Sequence, residues 1–293
     1  MQWFPDRSAE GLARFVFDWA IPILLIRVLA NADLPDSFPW ELFSSFYIPG
    51  LLLYVVGAWI ARKFFQRNFM ECVISGTAGC YGNTVLLGLP LVILAFGDAG
   101  TVPYFLLLSV HGIIFLTLTT VLLEIGRYHP QTMWFLLRKL ARGLLTNPIL
   151  IGLLVGVALN LIGWRLPGPA DQIAKYMQDA VAPCALFALG ASLSHYRIAG
   201  SLQESFVAIT IKLIVFPAIV WFLASFVFAM PKLWALTATL VAAQPTGVNP
   251  YLFAERYGVA RPMVTTSVFL STSLSIVTLA IMLYIFQLQG AIG

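Results

Sequence analysis

The chain contains very little charge: Asp, Glu, Lys and Arg make up only 10% of its 293 residues, against about 25% in soluble domains. Apolar residues account for 60% of it and form many runs of about 20 residues, the length that spans a bilayer as a helix. These proportions exclude an ordinary soluble domain. The net charge of +4 does not indicate nucleic-acid binding, because the basic residues lie in short loops between the apolar runs.

The residue types that build enzyme and metal sites are also scarce. Three cysteines lie in or near apolar runs at unrelated spacings, and two of the three histidines, His129 and His195, fall in predicted loops. Neither a nucleophile with a base nor a metal-ligand set can be assembled from these residues. The sequence therefore predicts a protein that is not an enzyme and that uses no metal or cofactor. The first ten residues are polar and do not resemble a cleavable signal.

The apolar runs predict nine transmembrane helices. They cover residues 11–30, 43–63, 70–96, 101–124, 143–163, 172–193, 203–228, 232–254 and 262–287. Alternate loops hold the basic residues Arg62, Lys63 and Arg67, then Arg127, Arg138, Lys139 and Arg142, then Arg197, then Arg256 and Arg261. By the positive-inside rule these loops and the amino terminus are cytoplasmic, and the carboxyl terminus is outside. We expect a multi-pass protein of the plasma membrane, here a bacterial inner membrane.

The chain repeats itself at an offset of 161 residues. Asp18 matches Asp179, Pro22 matches Pro183, Asn83 matches Gln244 and Gly97 matches Gly258. Because a span and its mate five spans later run in opposite directions, the halves are predicted to be inverted copies. The expected domains are a first repeat at 1–124, a cytoplasmic loop at 125–142 and a second repeat at 143–293. The span at 143–163 has no mate, so we expect a plan of five plus five that lacks its first helix.

Two of the spans are interrupted at equivalent positions of the two halves, near 82–90 and 244–250. Glycine and proline weaken the helical hydrogen-bond ladder there, and broken backbone in a membrane is tolerated only where protein or water satisfies it. A half-helix amino terminus attracts anions. The candidate substrate-binding side chains are Asn83, Thr84, Gln244, Thr246 and Asn249, and the crossover prolines are Pro90, Pro245 and Pro250. A single kink is often only structural, but inverted symmetry predicts that these two breaks meet.

Two further polar residues lie inside predicted spans. Lys212 is a candidate counter-charge for an anion, because a lysine within the membrane is costly. It also has a structural interpretation, in which it extends toward the cytoplasmic surface. His111 is a candidate for proton coupling, although a neutral histidine bonded to a neighbouring helix accounts for it equally simply. Both interpretations stay open at the level of sequence.

The interrupted segments carry a resemblance to a known family. Gly82-Asn83-Thr84 followed by Gly88-Leu89-Pro90, and Gln244-Pro245-Thr246-Gly247 followed by Ala254-Glu255-Arg256-Tyr257-Gly258, resemble the crossover segments of the auxin efflux carrier family. The resemblance implies a ten-helix fold with a scaffold domain and a transport domain, crossing broken helices, and elevator-type movement of organic anions. It also implies that Asn83, Gln244 and Asn249 bind the substrate carboxylate. The short connection at 125–142 is similar to that of bacterial members.

The sequence thus predicts an all-α, polytopic, inverted-repeat secondary transporter that carries a small organic carboxylate, in the first instance as an efflux carrier. Its expected partners are that carboxylate and the lipid bilayer, with no nucleic acid. A homodimer stays open, because a scaffold helix is expected to be absent. The alternatives are a sodium-coupled, bile-acid-like symporter and a truncated remnant that does not transport. The particular carboxylate, the direction of transport and the coupling ion are not specified by the residues.

Overall fold

The computed structural model describes residues 6–32, 34, 37–127, 138, 142–143, 145–193, 196 and 198–290. Across these ranges all regular secondary structure is helical, apart from one isolated β-bridge. This confirms the predicted all-α fold class. The interpretations placed on some loop residues lie outside the described residues, namely those on His129, Lys139, His195 and Arg197.

The helices follow the predicted spans closely. Up to residue 125 they are α1 (Asp6–Phe15), α2 (Ile21–Ala30), α3 (Trp40–Phe64), α4 (Phe69–Cys80), α5 (Leu89–Phe96) and α6 (Thr101–Ile125). After residue 145 they are α7 (Pro148–Leu161), α8 (Gly168–Leu193), α9 (Leu202–Thr210), α10 (Phe216–Phe222), α11 (Lys232–Ala242), α12 (Asn249–Tyr257) and α13 (Arg261–Leu288). Short π-helical turns lie at Val16–Ala20, Thr84–Gly88, Ile211–Val215 and Leu223–Val227, and a 3₁₀ turn lies at Gly97–Gly100.

Four of the described helical stretches are long and apolar enough to cross a membrane. They are Trp40–Phe64, Thr84–Ile125, Leu202–Val227 and Arg261–Leu288. Three shorter apolar helices are Phe69–Cys80, Pro148–Leu161 and Lys232–Ala242. The first and the last of these three are the half-helices that end at the two predicted breaks, which explains their short length.

The chain forms two compact units. The first unit is Met1–Phe38, Val85–Ser109 and Gln131–Ser194, and the second is Pro39–Thr84, Val110–Pro130 and His195–Gly293. Each unit takes segments from both predicted halves. The two units are defined by contacts between residues and not by internal symmetry. The division into repeats at 1–124 and 143–293 therefore stays a prediction.

In the first unit, an arginine joins three elements. The Arg27 guanidinium on α2 lies 2.9 Å from a carboxylate oxygen of Asp171 on α8 and 3.6 Å from one of Asp98 in the 3₁₀ turn. It also donates to Gln178 Oε1 at 2.9 Å, and Gln178 Nε2 donates to Asp98 Oδ1 at 2.7 Å. Nearby, Asn160 Nδ2 of α7 donates to the carbonyl oxygen of Leu29 at 2.8 Å. Ion pairs and a hydrogen bond thus connect this arginine to two carboxylates and to one amide.

In the second unit, the connection between α3 and α4 is fixed by charge. A capping box starts α4, since Asn68 Oδ1 accepts from the Glu71 N–H at 2.9 Å and the Glu71 carboxylate accepts from the Asn68 N–H. The Arg67 guanidinium lies 2.8 Å from the buried Glu204 carboxylate at the start of α9. That carboxylate also accepts from Ser75 Oγ at 2.8 Å. The hydrogen bond to Glu204 raises the pKa of the Arg67 guanidinium above its ordinary value.

Candidate substrate-binding site

The two breaks meet inside the second unit and bond to each other. Gly82 and Thr246 form an antiparallel bridge between the segments that follow α4 and α11. The Asn83 N–H donates to the Pro245 carbonyl at 2.7 Å, and the Gly247 N–H donates to the Tyr81 carbonyl at 2.9 Å. Backbone groups freed by a broken helix must find other partners in a membrane. Here each break satisfies the other, as the inverted repeat predicts.

Close approach at this crossing requires glycine at two positions. A Cβ atom on Gly247 would lie 2.9 Å from the Tyr81 ring and 3.0 Å from the Gly82 carbonyl oxygen. A Cβ atom on Gly82 would lie 3.3 Å from Lys212 Nζ and 3.3 Å from Gln244 Cβ. The space where a Gly82 side chain would lie is therefore bordered by a lysine and a glutamine, and it is too small for a methyl group unless these neighbours shift.

Lys212 lies in the π-helical turn Ile211–Val215 and is 0% exposed. Its Nζ donates to the carbonyl oxygen of Ala242, the last residue of α11, and lies 5.0 Å from the centroid of the Phe216 ring. No carboxylate among the described residues lies within 4.0 Å of this nitrogen. A buried ammonium without a counter-ion is costly, since water no longer solvates its charge. The lysine thus reaches the crossing and does not extend toward the cytoplasmic surface.

Gln244 is 0% exposed and borders the same space. Its Nε2 donates to the carbonyl oxygen of Leu240, one turn earlier, at 2.8 Å. Its Oε1 is buried and has no hydrogen-bond partner within the described ranges. The sequence identified Gln244 as a candidate but did not specify which amide atom would be free. In this structure the free atom is the acceptor.

The polar side chains of the second break bond across the crossing. Thr246 Oγ1 donates to the Ala78 carbonyl at 3.0 Å, and the Thr246 N–H donates to Ser271 Oγ at 3.1 Å. Asn249 Nδ2 donates to the Tyr81 hydroxyl at 2.8 Å. These donors are occupied by protein acceptors, so a ligand that uses them must displace those acceptors.

His111 on α6 lies against the crossing, inside an aromatic cluster. Its ring stacks on Tyr81 with 4.8 Å between centroids, and Phe46 and Phe115 meet it edge-on. The side chain is 2% exposed, and neither ring nitrogen has a hydrogen-bond partner among the described residues. The structure therefore does not show the simple alternative of a histidine bonded to a neighbouring helix.

The remaining candidates lie at or after the breaks. Asn83 and Thr84 are buried in the second unit, where Asn83 immediately precedes the π-helical turn Thr84–Gly88. Pro250 is in the first turn of α12, where a proline costs no helical hydrogen bond. Pro90 is buried in the first turn of α5 and belongs to the first unit. The residues that form the bridge between the breaks, Gly82 and Thr246, belong to the second unit.

Tyr81 was missed as a candidate, although its backbone, its hydroxyl and its ring each make a contact at or beside the crossing. Its carbonyl bonds to Gly247, its hydroxyl to Asn249, and its ring stacks on His111. The available signal was its position directly before Gly82, where the first half-helix ends. Ser271 was also missed, and its partner, a backbone N–H, leaves no trace in a sequence pattern.

The comparisons with known proteins agree with this architecture. The sequence profile of a family described as membrane transport protein matches residues 1–283. The chain is 25% identical to a putative malonate transporter of Rhizobium meliloti (strain 1021), over 98% of this chain and 90% of that protein. It is 22% identical to auxin efflux carrier component 8 of Arabidopsis thaliana, over 92% and 86% of the two chains.

A third relative is an uncharacterized transporter of Methanothermobacter thermautotrophicus, which is 24% identical over 94% of this chain and 88% of that protein. All three similarities extend along nearly the whole chain, as does the match to the family profile. They agree with the resemblance carried by the two interrupted segments. The chain is a membrane protein, and it belongs to the membrane transport protein family that includes malonate transporter and auxin efflux carrier relatives.

Proposed function

We propose that this protein is a secondary transporter of a small organic carboxylate. The observation that carries the proposal is the position of Lys212, a fully buried amine at the crossing with no carboxylate within 4.0 Å among the described residues. An anionic substrate supplies the missing counter-charge. Intramembrane ionisable residues commonly mark such substrate pathways.

Binding exchanges protein acceptors for substrate oxygens. The carboxylate takes the Lys212 ammonium from the Ala242 carbonyl and the Asn249 amide from the Tyr81 hydroxyl. Asn83, Thr84, Thr246 and Gln244 border the bound substrate. Because the donors are already oriented by these internal bonds, binding replaces hydrogen bonds rather than ordering free side chains.

Transport follows from where the breaks lie. Both are joined within the second unit, so we propose that this unit carries the substrate between the two sides of the membrane as one body, in an elevator-type cycle. His111, stacked on Tyr81, is in a position to sense the loaded state. The predicted orientation, with the amino terminus in the cytoplasm of a bacterial cell, is part of the proposal.

The name of one relative supports a substrate class. Malonate, in the name of the Rhizobium meliloti protein, is a small dicarboxylate, which agrees with the substrate class that we propose. Export of a monoanion is favoured by an inside-negative potential by about 2.3 kcal/mol per 100 mV. A cation gradient is therefore not required for efflux.

The test is uptake into proteoliposomes of purified protein, with a panel of mono- and dicarboxylates under imposed potential, proton or sodium gradients. We expect saturable uptake of at least one small carboxylate without sodium, and its loss in the double variant Asn83→Ala, Gln244→Ala. A strict sodium requirement would favour the symporter alternative. Absence of uptake for every carboxylate would contradict the proposal, as would undiminished uptake by the double variant.

A further inference from the structure

The orientation of the Gln244 amide is fixed by its neighbour. Its nitrogen donates to the Leu240 carbonyl oxygen at 2.8 Å. Exchanging the amide nitrogen and oxygen would place two acceptors against each other, so this contact determines the assignment. The free amide atom of Gln244 is therefore Oε1, a pure acceptor, and the Cβ of this residue borders the space beside Gly82.

A buried acceptor without a partner destabilises the protein, because it has lost its hydrogen bond to water and gained none in return. Gln244 Oε1 is in that condition within the described ranges. A carboxylate oxygen cannot relieve it, because both atoms are acceptors. The partner must carry a hydrogen-bond donor, such as a hydroxyl or an N–H group.

A cation borders the same space. Lys212 Nζ and Gln244 Cβ each lie 3.3 Å from the position that a Gly82 Cβ would occupy. Lys212 and Gln244 are therefore neighbours at Gly82, so a substrate that takes the Lys212 ammonium from the Ala242 carbonyl would also lie beside the Gln244 side chain. The complementary molecule has one negative charge and one donor.

From this pairing we propose that the transported species is a monoanion that also carries a donor, and that a dicarboxylic acid enters as its singly protonated form. This inference rests on the proposed function and specifies the substrate of the same site. The ionised carboxylate pairs with Lys212, and the hydroxyl of the protonated carboxyl group donates to Gln244 Oε1. The proton crosses the membrane on the substrate, and no covalent bond changes.

Three isosteric monoanions test the donor directly. Hydrogen malonate, malonamate and acetoacetate share the frame X–CO–CH₂–COO⁻, in which X is OH, NH₂ and CH₃, respectively. We expect proteoliposomes of the intact protein to take up hydrogen malonate and malonamate at least about tenfold faster than acetoacetate at limiting concentration. Equal uptake of malonamate and acetoacetate would overturn the inference, and would mean that a trapped water satisfies Gln244.

The pH dependence separates substrate protonation from protein protonation. The titratable groups around Gly82 are Lys212, Cys80 at the end of α4, Tyr81 and His111 of α6. Raising the pH from about 5 to about 8 converts malonate to its dianion, so the ratio of malonate uptake to malonamate uptake should fall. A parallel fall for both would assign the effect to the protein and overturn the inference. Unchanged malonate uptake would also overturn it.

A variant tests whether Gln244 Oε1 accepts the hydrogen bond that the substrate donates. In Gln244→Leu, the ratio of malonamate to acetoacetate uptake should fall to about one, and an unchanged ratio would contradict the assignment. If that variant does not fold, the comparison of the three monoanions with the unaltered protein still decides the matter. Uptake of carboxylates without discrimination refutes only this inference, whereas no uptake of any carboxylate refutes the proposed function itself.

Discussion

Among the described residues, Arg27 in the first unit and Lys212 in the second are basic side chains with little or no exposure, and they differ in their surroundings. Arg27 in the first unit, 17% exposed, has two carboxylates and Gln178 around it. Lys212 in the second unit, 0% exposed, has a backbone carbonyl and an aromatic ring. A cation that is paired within the protein has a structural explanation. A cation that is buried without a counter-ion needs another explanation, and we propose that binding of an anion provides it.

The largest effect is expected from removing the unpaired charge. Lys212→Met should lower carboxylate uptake by about 100-fold or more, because it removes a charge-assisted contact from a fully buried position; this ratio equals about 2.7 kcal/mol. Uptake into proteoliposomes with equal amounts of inserted protein measures this. Arg27→Met is the matched control and should retain uptake within about fivefold. Equal losses in the two variants would remove the distinction between the two cations.

The next effect concerns the space beside the lysine. Gly82→Ala places a methyl group 3.3 Å from Lys212 Nζ, so the flexible end of the lysine must move away from the crossing. We expect about a tenfold rise in the concentration needed for half-maximal uptake, which equals about 1.4 kcal/mol. Gly112→Ala on α6 is the control, since its Cβ would meet only a side-chain atom at 3.8 Å. Unaltered uptake by Gly82→Ala would show that the substrate does not bind beside Gly82 and Lys212.

The two substitutions should affect the stability of the protein in the opposite order, with the larger loss in Arg27→Met. Arg27→Met leaves the carboxylates of Asp98 and Asp171 without their cation; because they are 59% and 35% exposed, the cost should be only about 1 kcal/mol. Lys212→Met relieves a buried charge and should leave stability unchanged or raise it. Thermal unfolding in detergent compares the variants. Strong destabilisation by Lys212→Met would indicate a structural role for that lysine.

The smallest effect is expected at Tyr81. Tyr81→Phe removes the hydroxyl that accepts the hydrogen bond from Asn249 Nδ2. The ring that stacks on His111 is kept. Releasing the amide should tighten substrate binding by about threefold, within the range of one neutral hydrogen bond. Equilibrium binding of a radiolabelled carboxylate measures it, with Asn249→Ala as the variant that should bind more weakly. Weaker binding by Tyr81→Phe would assign the hydroxyl to the substrate.

Much of the architecture could be predicted from the sequence. The breaks at Gly82 and Gln244 were visible because glycine, proline and amide residues are unusual inside apolar runs and recur at a fixed offset. The crossing followed from the opposite direction of the two halves. Helix boundaries such as Thr101–Ile125 agree within a few residues with the predicted spans.

The chemistry of the site could not be predicted so fully. Lys212 lies in a π-helical turn, where an extra residue per turn rotates the following side chains, so a period of 3.6 residues does not place it. The free atom of Gln244 depends on a rotamer and on the Leu240 carbonyl. The bond between Asn249 and Tyr81 joins residues 168 positions apart. Such details depend on tertiary contacts that composition and periodicity do not contain.

The central claim is that the buried, unpaired amine of Lys212 receives the substrate carboxylate. Equilibrium binding of radiolabelled malonate to purified protein in detergent tests it most directly, with the unaltered chain, Lys212→Met and Arg27→Met compared in parallel. The account predicts saturable binding that is weakened by about 100-fold or more in Lys212→Met and nearly unchanged in Arg27→Met. Equal affinity of the unaltered chain and Lys212→Met would contradict it.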